Sequence, residues 1–313
     1  MIDLSIIIVN WNTKDLLRQC LHSLYNETQK ISFEVFVVDN ASTDGSLEML
    51  EQEFPKVHLI QNVENLGFAK ANNQAIRHSK GRYILLLNPD TLILDNALAK
   101  MVNFMDVHPK LGAVGCKILK IDGTVDFRCA RRFPTLATEF FEKTGLSKKF
   151  SNNRLFGSYL ISYWGHGDSR EVNLLTGACM MIRREAIEQV GLLDEDFFMY
   201  GEDVEWCYRI QKAGWKVFYY SDAEIIHLGG QSSESVKVEM SIEALKSMNL
   251  FFKKRYGPIY AWTHRSLILL ITLAKELLFL GAFLATRNAK RRSLYRGKIA
   301  IHRRVLRWAF TGR

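Results

Sequence analysis

Three observations predict an α/β fold built on a mostly parallel sheet flanked by helices for this 313-residue chain. Apolar runs of strand length alternate with amphipathic helical patterns through the first 120 residues, as right-handed strand–helix–strand crossovers require. The runs are apolar continuously rather than at every second residue, as in strands covered on both faces. Polar clusters follow the runs directly, at what becomes the carboxyl edge of the sheet, where such folds bind ligands.

The first run, Ser5–Val9, leads to Thr13 as a helix cap and to Leu16, Leu17, Cys20, Leu21 and Leu24 at helical spacing. Further strands are expected at Glu34–Val38, Val57–Ile60, Tyr83–Leu87 and Ala113–Leu119. Helices are expected between them at Ser46–Glu53, Phe68–Ser79 and Asn96–Asp106. Residues 120–172 are less regular and include Arg128, Arg131 and Arg132. Order resumes with a strand over Leu174–Ile182 and helices over Arg184–Val190 and Asp203–Lys212. Strands near Val217–Tyr220 and Ala223–Ile226 and an amphipathic helix over Ser241–Tyr256 complete the pattern.

Composition excludes a disordered or collagenous chain, with 48% hydrophobic residues and five prolines. The five cysteines are widely spaced and never form C-x-x-C, so they read as reduced packing residues. Met1-Ile2-Asp3-Leu4-Ser5 runs straight into a strand with no basic region ahead of it, and no secretory signal is expected. The formal charge of +9 is unevenly spread. Residues 287–313 hold ten Lys/Arg and no acid, which leaves 32 basic against 33 acidic residues in 1–286. The body lacks basic–aromatic alternation, and nucleic acid is not an expected partner.

Ahead of that tail, Leu267–Ala285 is nearly long enough to span a bilayer, yet Lys275 and Glu276 sit at its centre, where charge is costly in hydrocarbon. On a helix Arg265, Glu276 and Arg287 fall on one line, with Thr272 and Lys275 beside it. Three readings stay open: an interfacial or re-entrant helix, a core helix packed on the body, and a true span. The following basic residues favour a helix lying on an anionic cytoplasmic leaflet.

Neither Val9-Asn10-Trp11-Asn12 nor Val38-Asp39-Asn40-Ala41-Ser42-Thr43-Asp44-Gly45 contains G-x-G-x-x-G, and no G-x-x-x-x-G-K-[ST] occurs, which counts against a dehydrogenase and a P-loop NTPase. Asp39, ending a buried strand, can accept from a pyrimidine ring N–H while neighbouring amides serve its carbonyls. Asp44 and Ser46 read as turn and cap residues. Gly67 opens a helix whose free N–H groups suit a phosphate, with Asn65, Lys70 and Asn72 as added donors. Asn88-Pro89-Asp90-Thr91 ends a strand. Asp90 is the candidate ligand for Mg2+ or Mn2+ held jointly with a diphosphate, and Asn88 is its amide neighbour.

Asp194–Glu205 places six carboxylates in twelve residues, interleaved with Phe197, Phe198, Met199 and Tyr200. Glu202 and Asp203 start a helix whose dipole favours their ionised forms, the state a general base needs. His227 follows a strand and precedes Leu228-Gly229-Gly230-Gln231-Ser232, a candidate second metal ligand.

Taken in order, Ile8-Val9-Asn10-Trp11-Asn12, Val38-Asp39-Asn40-Ala41-Ser42-Thr43-Asp44-Gly45-Ser46, Asn65-Leu66-Gly67-Phe68-Ala69, Leu87-Asn88-Pro89-Asp90, Gly177-Ala178-Cys179, Gly201-Glu202-Asp203-Val204-Glu205 and His227 resemble the family-2 glycosyltransferases of the Rossmann-like GT-A fold, especially the bacterial rhamnosyltransferase-like branch. The resemblance covers roughly residues 3–235. It implies inverting, metal-dependent transfer of a sugar from a nucleotide-sugar donor to a glycan or polyprenyl-linked acceptor in cell-surface polysaccharide biosynthesis, rhamnosyl transfer among the options.

It further implies that Asp39 holds the nucleobase with Asn10 and Asn12 nearby, and that Asn65, Gly67, Phe68, Lys70, Asn72 and Asn88 line the donor. Asp90 would be the metal-binding aspartate of D-x-D. Asn88 stands where many members have the first Asp, which shifts the metal onto Asp90, His227 and the diphosphate. Asp203 would deprotonate the acceptor hydroxyl, with Glu202 as its supporting neighbour. The loop after His227 would close over the donor. Arg128, Arg131 and Arg132 would meet either an acceptor pyrophosphate or solvent.

The expected organisation is a GT-A domain over 1–240, with a nucleotide-sugar half to about 120 and an acceptor half beyond, and a helical, membrane-associating extension over 241–313. That extension carries an apolar helix at 266–286 and a basic tail at 287–313. The expected location is cytoplasmic, peripheral on the inner face of the cell membrane. The alternative is a catalytically silent nucleotide-sugar-binding or scaffold protein of the same fold.

Overall fold

The structure is a computed structural model describing residues 2–229 and 237–312, so the proposed closing loop beyond Gly229 lies outside the described residues. In chain order the first part comprises β1 (Leu4–Asn10), α1 (Lys14–Glu27), β2 (Phe33–Asp39), α2 (Ser46–Glu53), β3 (His58–Gln61), α3 (Phe68–His78), β4 (Tyr83–Leu87), β5 (Thr91–Ile93), α4 (Ala97–Val107), β6 (Leu111–Leu119) and β7 (Ala130–Arg131). Then come α5 (Leu136–Thr144), α6 (Leu146–Lys149), β8 (Arg170–Glu171), β9 (Leu174–Leu175), β10 (Cys179–Arg183), α7 (Arg184–Val190), α8 (Glu202–Lys212) and β11 (Lys216–His227). The chain ends in α9 (Lys237–Tyr256), α10 (Pro258–Ala285) and α11 (Ala289–Thr311).

The main sheet runs β3-β2-β1-β4-β10-β6-β11-β5, with β8 added on β11. Its first four strands are parallel and in the order that α1, α2 and α3 impose as crossovers. β10 enters antiparallel between β4 and β6, and β11 returns parallel to β6. Residues of β1 and β4 are almost wholly buried, as their unbroken apolar runs require. The two strands expected near Val217–Tyr220 and Ala223–Ile226 are one strand whose register against β6 slips between Tyr220 and Glu224. The slip is a bulge, which a polar Ser221-Asp222 pair disguises as a turn.

The chain divides into two units, Met1–Phe133 with Tyr159–Ser235, and Pro134–Ser158 with Val236–Arg313. This division differs from the expected organisation at two points. The boundary at 240 falls inside α9, and residues 134–158, assigned to the acceptor half, pack with the C-terminal helices. Their apolar side chains Phe140, Phe141, Phe150 and Phe156 read as irregular structure because α5 and α6 are too short for periodicity to register.

In the second unit, α10 starts at Pro258, eight residues before the expected position, with Pro in the first turn where its missing N–H costs nothing. The basic tail is itself helical, and Val305, Trp308 and Ala309 of α11 pack with Leu245 of α9 and Ile268 of α10. The polar line of α10 is used inside this unit. Arg265 donates to the Ala309 and Phe310 carbonyls, Lys275 to the Lys143 carbonyl, and Glu276 pairs with Arg303. His264 and Glu139 of α5 form a buried pair at 3.6 Å. By length and composition α10 could cross a membrane, and only 11% of its most apolar window is buried.

The β1–β4 edge also depends on a close approach near Gly81. Its N–H donates to Ser5 Oγ at 2.7 Å, and a Cβ on Gly81 would lie 2.5 Å from the Ser5 nitrogen. Gly81→Ala should therefore lower stability by roughly 1–3 kcal/mol through overpacking, read as a lower urea midpoint at unchanged m.

Candidate active site

The strand ends are stitched together before any ligand is considered. Asn10 and Asp39 are register partners across β1 and β2 and are both fully buried. Asn10 Nδ2 donates to Asp39 Oδ2 at 2.8 Å and to Ser42 Oγ at 3.1 Å, while Asp39 Oδ1 accepts from the Ser42 N–H. Thr13 donates its hydroxyl to Asn10 Oδ1, so it does not cap α1 with its side chain. Asp44 does that instead, accepting from Lys14 N–H and from Ser46, and these bonds hold its carboxyl below its ordinary range against the opposing effect of burial. Asn12 accepts from Thr43 N–H. Asn12 (φ 53°) and Ala41 (φ 62°) both sit in the left-handed region, a strained backbone of the kind found where loops are shaped around a site. Asp39 thus organises these two loops.

The start of α3 differs from expectation. Gly67 N–H donates to Asn65 Oδ1, and Phe68 N–H donates to the Phe198 carbonyl at 2.7 Å. Of these two amides, expected to be free for a phosphate, one is taken by the Asn65 side chain and the other anchors the 198 loop. Gly67 is required there, since at φ 82° a Cβ would sit 2.3 Å from the Phe198 oxygen. Lys70 is exposed and acts on Glu195, away from Asn72, which is buried and donates to the Phe68 carbonyl. The Asn72 side-chain oxygen, Oδ1, is buried without a partner.

At the end of β4, Asn88 N–H donates to the Ala178 carbonyl, and Asp90 lies in contact with the end of β11. Asp90 Oδ1 is 3.0 Å from His227 Nε2, and Asn88 Nδ2 is 3.4 Å from the same nitrogen. The Asp90 carboxylate is nearly buried and the imidazole is 13% exposed. One carboxylate and one imidazole, 137 residues apart in sequence, fit Mg2+ or Mn2+ that takes its other ligands from diphosphate and water. Among the described residues no group of three His, Cys, Asp or Glu side chains converges.

The third cluster lies at the start of α8. Asp203 Oδ2 accepts from Arg131 Nη2 at 3.0 Å and Oδ1 from Val204 N–H. Arg131 Nη1 donates to the Tyr159 hydroxyl at 2.9 Å. Gly177 connects this cluster with the previous one. A Cβ there would meet the Phe68 ring at 3.3 Å and lie 4.0 Å from Asp203 Cβ, while the adjacent Ala178 holds Asn88. Phe68, Asn88, Asp90, His227 and Asp203 are thereby linked through the two residues before β10. Gly177 and Tyr159 were not among the expected site residues. Their neighbours come from distant segments that no local pattern joins.

Glu202 departs from its expected ionised state. Burial first, and then the negative charge of Asp203, push its carboxyl up to about 8, and its Oε2 has no partner. The helix dipole is the weaker effect, because desolvation in a buried site exceeds a terminal partial charge. Elsewhere in the acidic segment Glu195 pairs with Arg77 and accepts from Asn73, and Glu205 pairs with Arg209. Of the three arginines, Arg128 forks onto Asp126, Arg131 is committed to Asp203 and Tyr159, and Arg132 is exposed. All five cysteines are free and buried, as packing residues should be.

The family model described as Glycosyl transferase family 2 matches residues 5–191, more than half of the chain. The chain is 28% identical over 273 residues to N-acetylglucosaminyl-diphospho-decaprenol L-rhamnosyltransferase of Mycobacterium tuberculosis, covering 81% of this chain and 85% of that protein. It is 26% identical over 258 residues to the low-salt glycan biosynthesis hexosyltransferase Agl10 of Haloferax volcanii, covering 81% and 74%. A mannosyltransferase from Pyrobaculum calidifontis, solved with GDP-Man and Mn2+, superposes with a TM-score of 0.57 at 18% identity over 99% of this chain and 87% of that one. The structural likeness shows a GT-A fold.

The buried Glu202 gives a pH signature. The folded carboxyl binds its proton more tightly than an ordinary Glu, which titrates at 4.5, so the native state holds the extra proton between that value and about 8. Stability must then fall as pH rises through this window. Thermal unfolding should show Tm dropping from pH 5 to pH 8 in the native protein, with a clearly shallower slope in Glu202→Gln.

Proposed function

The chain belongs to glycosyl transferase family 2 and is a glycosyltransferase, and from that premise we propose an inverting single displacement with Asp203 as base. The donor is a nucleotide sugar. Its nucleobase lies against the loops that Asn10, Asn12 and Asp39 shape, and its sugar lies near Phe68, Gly177 and Asn88. Asp90 and His227 would hold Mg2+ or Mn2+, which when bound offsets charge on the leaving diphosphate. The acceptor oxygen forms a bond to the anomeric carbon as the bond from that carbon to the diphosphate oxygen breaks. The hydroxyl proton passes to the Asp203 carboxylate, and nucleoside diphosphate leaves.

What supports this reading most is the linkage at Gly177–Ala178, which carries Asp203 on one side and Asn88, beside Asp90 and His227, on the other. The rhamnosyltransferase relative acts on a sugar carried by a lipid diphosphate, and we assign this chain the same acceptor class, with rhamnose as the first sugar to try. Purified full-length protein, screened against UDP-, GDP- and dTDP-linked sugars with Mn2+ or Mg2+ and a sugar-diphosphate-lipid acceptor, should release nucleoside diphosphate. Asp203→Asn should cut turnover about 10²–10⁴-fold while donor binding stays near native. Undiminished turnover in that variant would overturn the base assignment.

For a lipid-borne acceptor, the helical unit serves as the contact with the cytoplasmic leaflet. Leu270, Leu277, Leu278 and Leu284 of α10 are 65–73% exposed, and all nine described Lys/Arg of 287–312 are exposed on and just before α11. An exposed apolar stripe beside cations suits a helix pair lying in an anionic interface. The protein should float with vesicles containing anionic lipid and release as salt rises. Reversing Arg291, Arg292 and Arg296 to Glu should weaken this by at least on the order of 100-fold, at about 1 kcal/mol per cation. Equal binding to zwitterionic vesicles before and after the reversal would exclude the electrostatic contact.

A further inference from the structure

Resting on the assignment of Asp203 as base, we propose that Arg131 is the positioning residue of that base: its guanidinium keeps the Asp203 carboxylate aimed and charged, and it is not a contact for acceptor phosphate. Both terminal nitrogens are committed, Nη2 to Asp203 at 3.0 Å and Nη1 to the Tyr159 hydroxyl at 2.9 Å, and the side chain is only 14% exposed. With each terminal nitrogen already engaged and the side chain enclosed, little of the guanidinium is presented to a diphosphate arriving from solvent. Its Nε is buried without a partner, so the contacts it does make have been kept at the expense of full satisfaction.

The backbone that carries Arg131 is held from three sides. β7 pairs with β9, placing Arg131 opposite Leu174 and Ala130 opposite Leu175. The ring of His166, fully buried and stacked on Trp164, reaches the Ala130 carbonyl at 3.1 Å. Arg132 N–H donates to the Tyr159 carbonyl, so Tyr159 grips this strand by its backbone and its hydroxyl together. Such over-determination of one short strand is what a group needs if its head must stay fixed to a fraction of an ångström.

The charges around Asp203 explain why a fixed cation is needed. On α8 itself stand Glu202, buried and without a partner for Oε2, Glu205, already paired with Arg209, and the buried Cys207. From β7 comes Arg131, from the segment after α6 comes Tyr159, and Arg128 is turned to Asp126. Arg131 is therefore the one cation directly bonded to Asp203 among the described residues. Burial acts against the charge on Arg131, yet Tyr159 and Asp203 together hold the guanidinium above its ordinary value. The outcome is a pair of adjacent carboxyls in different surroundings, Asp203 bonded to Arg131 and Glu202 buried with its Oε2 unpartnered and its carboxyl pushed up to about 8.

The test uses the full chain with the nucleotide sugar that turns over in the screen and a synthetic sugar-diphosphate-lipid as acceptor. Arg131→Gln should lower kcat roughly tenfold or more and move the acid limb of the kcat profile up by about one pH unit. The acceptor KM should change less than about twofold. Arg131→Lys should return the acid limb most of the way, and Tyr159→Phe should lower kcat modestly without moving the limb. In an Asp203→Asn background, Arg131→Gln should add little, because the charge it serves is gone. If Arg131→Gln fails to fold, the Lys and Phe variants decide: a native kcat and pH profile in both would overturn the proposal. A raised acceptor KM with native kcat and acid limb would also overturn it and make Arg131 a substrate contact. Full activity of Asp203→Asn is a different failure, since it removes the base assignment itself.

Discussion

The polar edge of the sheet depends on the position of β1 between β2 and β4, because two parallel ladders in fixed register decide which residues stand side by side where the strands stop. Leu4 to Asn10 pair with Phe33 to Asp39, and Leu4 to Ile8 with Tyr83 to Leu87, so Asn10 meets Asp39 and Asn88 follows directly beyond the last β4 rung. A slip of one residue would part Asn10 from Asp39 and leave buried polar groups without their partners, so the polar strand ends pin the register. The same constraint carries outward. β10 joins β4 antiparallel, which sets Gly177 and Ala178 immediately before the rung shared by Cys179 and Leu87. Through that junction the end of β4 and the start of α8 become neighbours.

Burial decides the chemistry available at this edge. Asp90, Asp203, Glu202 and Asp39 are all in the least exposed class, yet each is handled differently. Asp39 is spent on holding two loops, Asp90 faces an imidazole, Asp203 bonds a guanidinium, and Glu202 leaves Oε2 without a partner. A carboxyl removed from water keeps its charge only where a partner offsets the desolvation, and Glu202, lacking one, keeps its proton instead. Four similar side chains thus acquire separate roles from their surroundings alone.

In the helical unit the balance between burial and charge is different. α10 is apolar around most of its circumference, and packing with α9, α11 and α5 covers only part of it. Its few charged groups find hydrogen-bond or ion-pair partners within the unit. The net charge of +9 resides on α11 and its approach, on a surface whose cations mostly face solvent. The sheet-bearing unit needs no such excess.

Much of this was legible in the chain itself. Continuous apolar runs disclosed β1, β2, β4 and β6, and spacing disclosed α1 to α4, because period and burial are properties of consecutive residues. The ordered motifs pointed to Asp39, Asp90, Asp203 and His227, since each stands at an element end that local pattern marks. The sequence could not disclose that Phe198 occupies the amide at the start of α3, that Tyr159 and Arg131 share a bond, or that residues 134–158 belong with helices a hundred residues later. Nor could it show Glu202 losing its charge, where the dipole argument failed against burial. Periodicity and strand ends are written locally and so were determined by the sequence alone. Partnership and desolvation depend on segments brought together across 70 to 140 residues, and only the tertiary structure decided them.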